Sequence, residues 1–139
     1  MAEKISANIA DKMVNGEWKH VGFKGEHYSS PKNGNVEVYL RSSYEVRFAQ
    51  MLDESDNVIC WEHEPFRIPY LFEGSTHNYV PDFLITHTND ERELVEVKPA
   101  VLRGSDVVQT KESAARAWCD QNGVSFRIVS EADLNIQHS

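Results

Sequence analysis

Apolar positions recur along the chain with two periods, one near four and one of two, and the changes between them mark the elements. Ile5, Ile9 and Met13 stand four apart, which predicts a short amphipathic helix over residues 3–14. Residues 15–35 lose that period and collect Gly16, Gly22, Gly25, Pro31, Asn33 and Gly34, the composition of a loop or hairpin leading into a strand near Val36–Leu40. From Ser42 to about Glu54, Tyr44, Phe48, Met51 and Leu52 form an apolar stripe, and Ser42 with Glu45 is a capping-box signature. Strands are predicted at Val58–Trp61 and Phe66–Phe72, with Pro65 and Pro69 marking breaks or a sheet edge. Two more, Tyr79–Thr86 and Glu93–Lys98, flank the polar connector Thr88-Asn89-Asp90-Glu91-Arg92. A second helix runs from about Asp106 to Gln121, with Val107, Lys111, Ala114, Ala115 and Trp118 on one side and Asn122-Gly123 as its stop. Val124–Val129 alternates as a last strand, and Ser130–Leu134 can begin a final helical turn. This order predicts an α/β fold, one mixed sheet with helices packed on it, over residues 39–139, preceded by a helix-and-loop extension over residues 1–38.

Composition narrows the class. The 139 residues are 40% apolar and 26% charged, enough for one sizeable core and incompatible with a long disordered chain. No run approaches the roughly 18 apolar residues of a membrane span, and Met1-Ala2-Glu3-Lys4-Ile5-Ser6 is too polar for a secretory leader. Cys60 and Cys119 are too few for a disulfide scaffold and suit a reducing compartment. The expectation is a soluble, cytoplasmic, single-domain protein with no membrane partner.

The net charge of −8 argues at first sight against a nucleic-acid partner, but it is unevenly spread. Residues 1–50 hold seven Lys/Arg against six Asp/Glu, whereas the remainder holds seven against sixteen. A phosphate-binding surface would draw on Lys12, Lys19, Lys24, Lys32, Arg41 and Arg47. The acidic remainder is either a solvated face or the seat of a cation site.

The candidate chemistry lies in Pro81-Asp82-Phe83 and Val95-Glu96-Val97-Lys98. On a strand, positions 96 and 98 share one face, roughly 6–7 Å apart, while Val95 and Val97 point the other way into the core. With residues 88–92 as a symmetric five-residue connector, Asp82 falls opposite Lys98 and diagonal to Glu96. Two carboxylates can hold a hard cation such as Mg²⁺. Such a cation polarises a phosphoryl oxygen and acidifies a water, while a neighbouring ammonium offsets charge building on phosphorus. These are the needs of phosphodiester hydrolysis. The bland alternative is a surface ion pair of Lys98 with Asp82 or Glu96.

Tyr79-Val80-Pro81-Asp82-Phe83-Leu84 followed by Leu94-Val95-Glu96-Val97-Lys98-Pro99 resembles the signature of the PD-(D/E)XK nuclease superfamily. With Arg41-Ser42-Ser43-Tyr44-Glu45, Asp56-Asn57-Val58-Ile59, Glu64 to Tyr70, Ala114 to Cys119 and Phe126 to Glu131, the pattern is similar to the TnsA-type endonuclease N-terminal domain and to small phage nucleases. The resemblance covers about residues 39–134. It implies a restriction-endonuclease-like αβββαβ core acting on DNA. It further implies Asp82 and Glu96 as ligands of Mg²⁺, with Mn²⁺ substituting, the Val97 main-chain carbonyl as a further ligand, Lys98 as the catalytic lysine and Glu45 as a third acidic residue. The implied products carry 5′-phosphate and 3′-hydroxyl ends, and the implied setting is phage or mobile-element DNA processing in the host-cell cytoplasm. A full TnsA-type protein has a further C-terminal region, whereas this chain ends soon after the core, so the expectation is independence from a transposase. A homodimer and a phage or transposition protein partner both stay open. So does a different class, a non-enzymatic DNA-binding or head-completion structural protein that keeps the nuclease fold.

Weaker candidates surround these. Glu45 could instead serve only the capping box with Ser42. His77 and Tyr79 approach Asp82 and could contact phosphate or order water; Arg41 and Arg47 could touch backbone phosphate. Lys111, on the apolar side of the second helix, could reach the substrate; snorkelling past the core is the favoured reading. Trp61, Trp118 and both cysteines are expected in or near the core.

Overall fold

The computed structural model describes residues 11–14, 17–20, 25–102 and 104–135. Strands β1 (Asp11–Val14) and β2 (Glu17–His20) pair antiparallel with Val14 opposite Glu17. The helix expected over residues 3–14 is therefore wrong for residues 11–14, and residues 1–10 lie outside the described part. Of the three apolar residues at fourfold spacing only Met13 is described, and it pairs with Trp18 in the β1–β2 ladder. Strand β3 (Glu26–Tyr28) pairs with β4 (Val38–Leu40) around a 3₁₀ turn at Pro31–Asn33. The Asp53 carboxylate ties this segment down, accepting hydrogen bonds from Tyr28 Oη at 2.5 Å, Ser30 Oγ at 2.8 Å and Trp61 Nε1 at 2.9 Å.

Helix α1 (Ser43–Glu54) follows, with Ser42 as N-cap and both arms of the expected capping box present. Tyr44, Phe48, Ala49 and Leu52 are buried along one face. Strand β5 (Val58–His63) leads into the two-stranded hairpin β6 (Ile68–Phe72) and β7 (Ser75–Tyr79), then β8 (Phe83–His87) and β9 (Arg92–Val97). Helix α2 (Asp106–Asn122) is capped by Ser105 and closed by Gly123, whose φ of 67° is the left-handed conformation a helix stop requires. Strand β10 (Ser125–Val129) completes the order, and Leu134 N donates to Ser130 O in the turn after it.

The central sheet runs β10-β9-β8-β5, with β10 parallel to β9 and the other pairs antiparallel, so it is mixed as expected. Two of its predicted strands differ. Phe66–Phe72 supplies no strand to this sheet, and Tyr79–Thr86 is two strands, β7 and β8, interrupted at Val80-Pro81-Asp82. Pro81 has no N–H to give to a ladder, so the strand ends there.

Alternation sorts the two faces of the sheet. Phe83, Ile85, Val95, Val97 and Val129 pack with Tyr44, Phe48, Ala49 and Leu52 of α1. Leu84 and Leu94 pack on the other side with Ala115 and Cys119 of α2 and with Ile68 and Tyr79 of the hairpin. On α2 it is Val108 rather than Val107 that is fully buried. Cys119 is buried, and burial pushes its thiol up to about 11. Cys60 is exposed, contrary to expectation, because it alternates with the buried Trp61 beside it and so faces the other side of the edge strand. Among the described residues no helix is long and apolar enough to cross a membrane.

Candidate active site

Register brings the signature residues together. Phe83 pairs with Val95 and Leu84 with Leu94, so the ladder continued by one residue sets Asp82 opposite Glu96. This corrects the expected pairing of Asp82 with Lys98 by two residues. The turn is tighter than a symmetric loop over residues 88–92: Thr86 pairs with Arg92, His87 N donates to Glu91 O at 2.8 Å, and Asp90 adopts a φ of 69°. A left-handed residue after a short turn is the usual device of a three-residue hairpin loop. A slip of two keeps every side chain on its face, so the cluster survives where a slip of one would have destroyed it.

Asp82, Glu96, Lys98 and Glu45 all line one cavity of about 330 Å³. The Val97 amide donates to Asp82 Oδ2 at 2.8 Å. Glu96 Oε1 accepts from the Tyr79 hydroxyl at 2.6 Å, and Glu96 Oε2 lies 3.6 Å from Lys98 Nζ. The Lys98 side chain is only 7% exposed, and its amide donates to Val129 O at 2.8 Å, so β10 fixes the backbone that carries it. Val97 lies in the β9–β10 ladder opposite Val129.

Glu45 makes the capping box and also lines the cavity. Its Oε1 accepts from the amides of Arg41 at 2.9 Å and Ser42 at 3.2 Å, which is the capping box. Its Oε2 lies 3.3 Å from His63 Nε2, and the His63 side chain is 3% exposed. His63 escaped the sequence reading, although the alternation of β5, with Trp61 buried two residues earlier, places it on the inner face. Glu64 also escaped notice. Its φ of 49° is a left-handed conformation outside glycine, its amide donates to Asp82 O at 2.8 Å, and its carboxylate takes the Arg41 guanidinium. Strained backbone of this kind gathers at sites where geometry has to be held.

Other candidates fall away or move. Arg41 is committed to Glu64, and Arg47 Nε donates to Leu134 O at 3.4 Å. His77 is exposed and stacks on Tyr70, while Tyr79 is buried at the site. Lys111 does not merely snorkel: it lines the cavity. Trp61 is in the core, and Trp118 packs on Phe66.

The electrostatics are those of an acid pair drawn out of water. Burial holds the Asp82 carboxyl well above the usual carboxylate range, reinforced by the charges of Glu96 and Glu45 and opposed by the Val97 amide and Lys98. Burial also raises Glu96, against the pull of Lys98, the Tyr79 hydrogen bond and Lys111. Tyr79 is raised by burial and by both carboxylates, so it stays a hydrogen-bond donor. A divalent cation would relieve this repulsion directly. Among the described residues no group of three or more His, Cys, Asp or Glu side chains gathers tightly enough to hold a metal unaided. The carboxylates of Asp82 and Glu96 are oxygen donors of the kind that hard cations take, one or two at a time with several waters kept. Asp82 offers Oδ1, since Oδ2 is engaged, and Glu96 lies across from it.

Around the cavity the net acidity of the chain disappears. Glu45, Glu64, Asp82 and Glu96 are matched there by Arg41, Arg67, Lys98 and Lys111.

Comparison with known proteins gives the family. Residues 55–131 match the family model described as TnsA-like endonuclease N terminal, a span from just before β5 to just past β10 that includes Asp82, Glu96 and Lys98 but not Glu45. No curated protein matches the chain. The match covers more than half of the 139 residues, and the mixed sheet between two helices has the restriction-endonuclease-like arrangement. The chain thus belongs to the TnsA-like endonuclease N-terminal family.

Proposed function

We propose that this chain is a metal-dependent DNA endonuclease that hydrolyses phosphodiester bonds in the cavity formed by Asp82, Glu96 and Lys98, with Mg²⁺ as cofactor and Mn²⁺ as a substitute. The observation that carries this reading is the meeting of two largely buried carboxylates, Asp82 and Glu96, with the nearly buried Lys98 ammonium in one cavity at the end of one hairpin. A surface ion pair needs none of that burial, and burial without function costs stability. Membership of the TnsA-like family supports a setting in the processing of mobile-element or phage DNA.

Asp82 and Glu96 would hold the cation, with the Val97 carbonyl as the further ligand that the resemblance implies. Bound there, Mg²⁺ would polarise a phosphoryl oxygen and lower the pKa of a water. Lys98 supplies a fixed positive charge in a partly dehydrated cavity, where it orients the attacking water and offsets charge developing on phosphorus. Tyr79 holds Glu96 in place, and the Val97 amide holds Asp82. Glu45, backed by His63, completes the acidic wall.

Supercoiled-plasmid nicking tests the reading. Wild-type protein should nick in Mg²⁺ and not in EDTA, and Lys98→Ala should be inactive while folded. Duplex binding without cleavage in Mg²⁺ or Mn²⁺ would instead make the chain a non-enzymatic DNA-binding protein.

A further inference from the structure

The four cations around the cavity are not equivalent. Arg41 is paired with Glu64, and Lys98 faces Glu96. Arg67 and Lys111 have neither an ion pair nor a side-chain hydrogen bond among the described residues. Both come from one side of the site. Arg67 immediately precedes β6, Lys111 lies in the second turn of α2, and the rings of Phe66 and Trp118, 4.4 Å apart, pin the hairpin against that helix. Lys111 lines both the cavity and a small adjoining cleft that it shares with Val108 and Phe126. Among the described residues the α1 side, with its Arg41–Glu64 and Glu45–His63 pairs, offers no unpaired cation at the cavity.

We infer that Arg67 and Lys111 form a phosphate-binding pair that seats the sugar–phosphate backbone next to the scissile phosphate, on the side of α2 and the β6–β7 hairpin. The inference rests on the endonuclease reading and adds a direction to it: the strand is gripped on one flank of the cavity. A guanidinium offers a flat fork to phosphate oxygens and an ammonium a compact point charge, so the two can take adjacent phosphates without competing. Neither has to break an ion pair or a side-chain hydrogen bond among the described residues to do so, although Lys111 also attracts Glu96. Phosphate contacts of this kind govern affinity and its dependence on salt.

The test is the salt dependence of binding to a fluorescein-labelled DNA duplex, by anisotropy in Mg²⁺, with Asp82→Asn as the parent so that no cleavage intervenes. Arg67→Gln and Lys111→Gln should each weaken binding and flatten the slope of log Kd against log [NaCl] by about 0.9, and the double variant by about 1.8. Arg67→Lys should keep the slope. Arg92→Gln removes a charge four residues back along β9, on the order of 13 Å from Glu96, and should leave the slope at the parent value. Unchanged slopes in Arg67→Gln and Lys111→Gln, or an equal loss in Arg92→Gln, would overturn the pair. Wild-type plasmid nicking with unchanged slopes would sink this inference alone; no nicking and no duplex binding would sink it together with the endonuclease reading.

Discussion

The amide of Val97 donates to the carboxylate of Asp82 at 2.8 Å, so the strand that carries Glu96 and Lys98 also aims the aspartate across from them. Asp82 is thereby held facing another carboxylate, at a cost in stability that a cation would offset. Asp82→Asn keeps an acceptor for Val97 N and removes the charge. Because burial raises the Asp82 carboxyl above its ordinary 3.8, the folded state keeps a proton that the unfolded chain has lost, and stability falls as pH rises through that window. The metal-free Asp82→Asn protein should therefore melt higher than wild type at neutral pH, by about 3–5 °C for each kcal/mol relieved. The gain should vanish once the pH is below 3.8. The same variant should lose plasmid cleavage by about 10²-fold or more, the scale of removing one preorganised electrostatic group. Thermal melts across pH check the first outcome; a lower melting temperature at neutral pH would contradict it.

His63 touches Glu45 and not the carboxylate pair, so it is a positioning residue. His63→Gln should lower kcat about 10–100-fold, as loss of an outer-shell partner does, with little change in KM. A purely structural role would show as a lower melting temperature with kcat preserved.

Glu64 neutralises Arg41 at the rim of the cavity. Glu64→Gln frees that guanidinium for phosphate, so duplex binding should tighten and its salt slope steepen by about 0.9. Binding isotherms at several salt concentrations decide this, and a slope equal to wild type would leave Arg41 outside the DNA interface.

Asp53 serves the fold rather than the site. Three donors from β3, the following turn and β5 converge on its carboxylate. Asp53→Ala strands them, and chemical denaturation should show a loss of about 2–4 kcal/mol, less than the sum of three charge-assisted bonds because they share one acceptor. The Tyr28 hydroxyl, raised by burial and then by Asp53, should titrate at lower pH in the variant.

Much of this was legible in the chain itself. The stripe of α1 with its Ser42–Glu45 box, the stop at Gly123 and the alternation of β9 are local rules, and local rules hold where packing agrees with them. Asp82, Glu96 and Lys98 could be grouped from strand parity alone, which is why a register error of two residues did no harm. What escaped was set by tertiary context. The left-handed φ of Asp90 shortens a turn whose sequence reads as a longer loop. The β6–β7 hairpin leaves the central sheet although its residues look like any strand. His63 and Glu64 gain meaning only when β5 is laid beside β8. Lys111 and Arg67, far apart in sequence, meet the site because α2 packs on the hairpin.

The central claim is that Asp82 and Glu96 together grip one divalent ion beside Lys98. Anomalous diffraction from crystals of the protein soaked in Mn²⁺ tests it most directly. A peak within about 2.0–2.3 Å of a carboxylate oxygen from both Asp82 and Glu96, the distance range of a small hard cation, absent from Asp82→Asn crystals, is the predicted result. A peak elsewhere, or none at this cavity at a Mn²⁺ concentration that supports nicking, would contradict it.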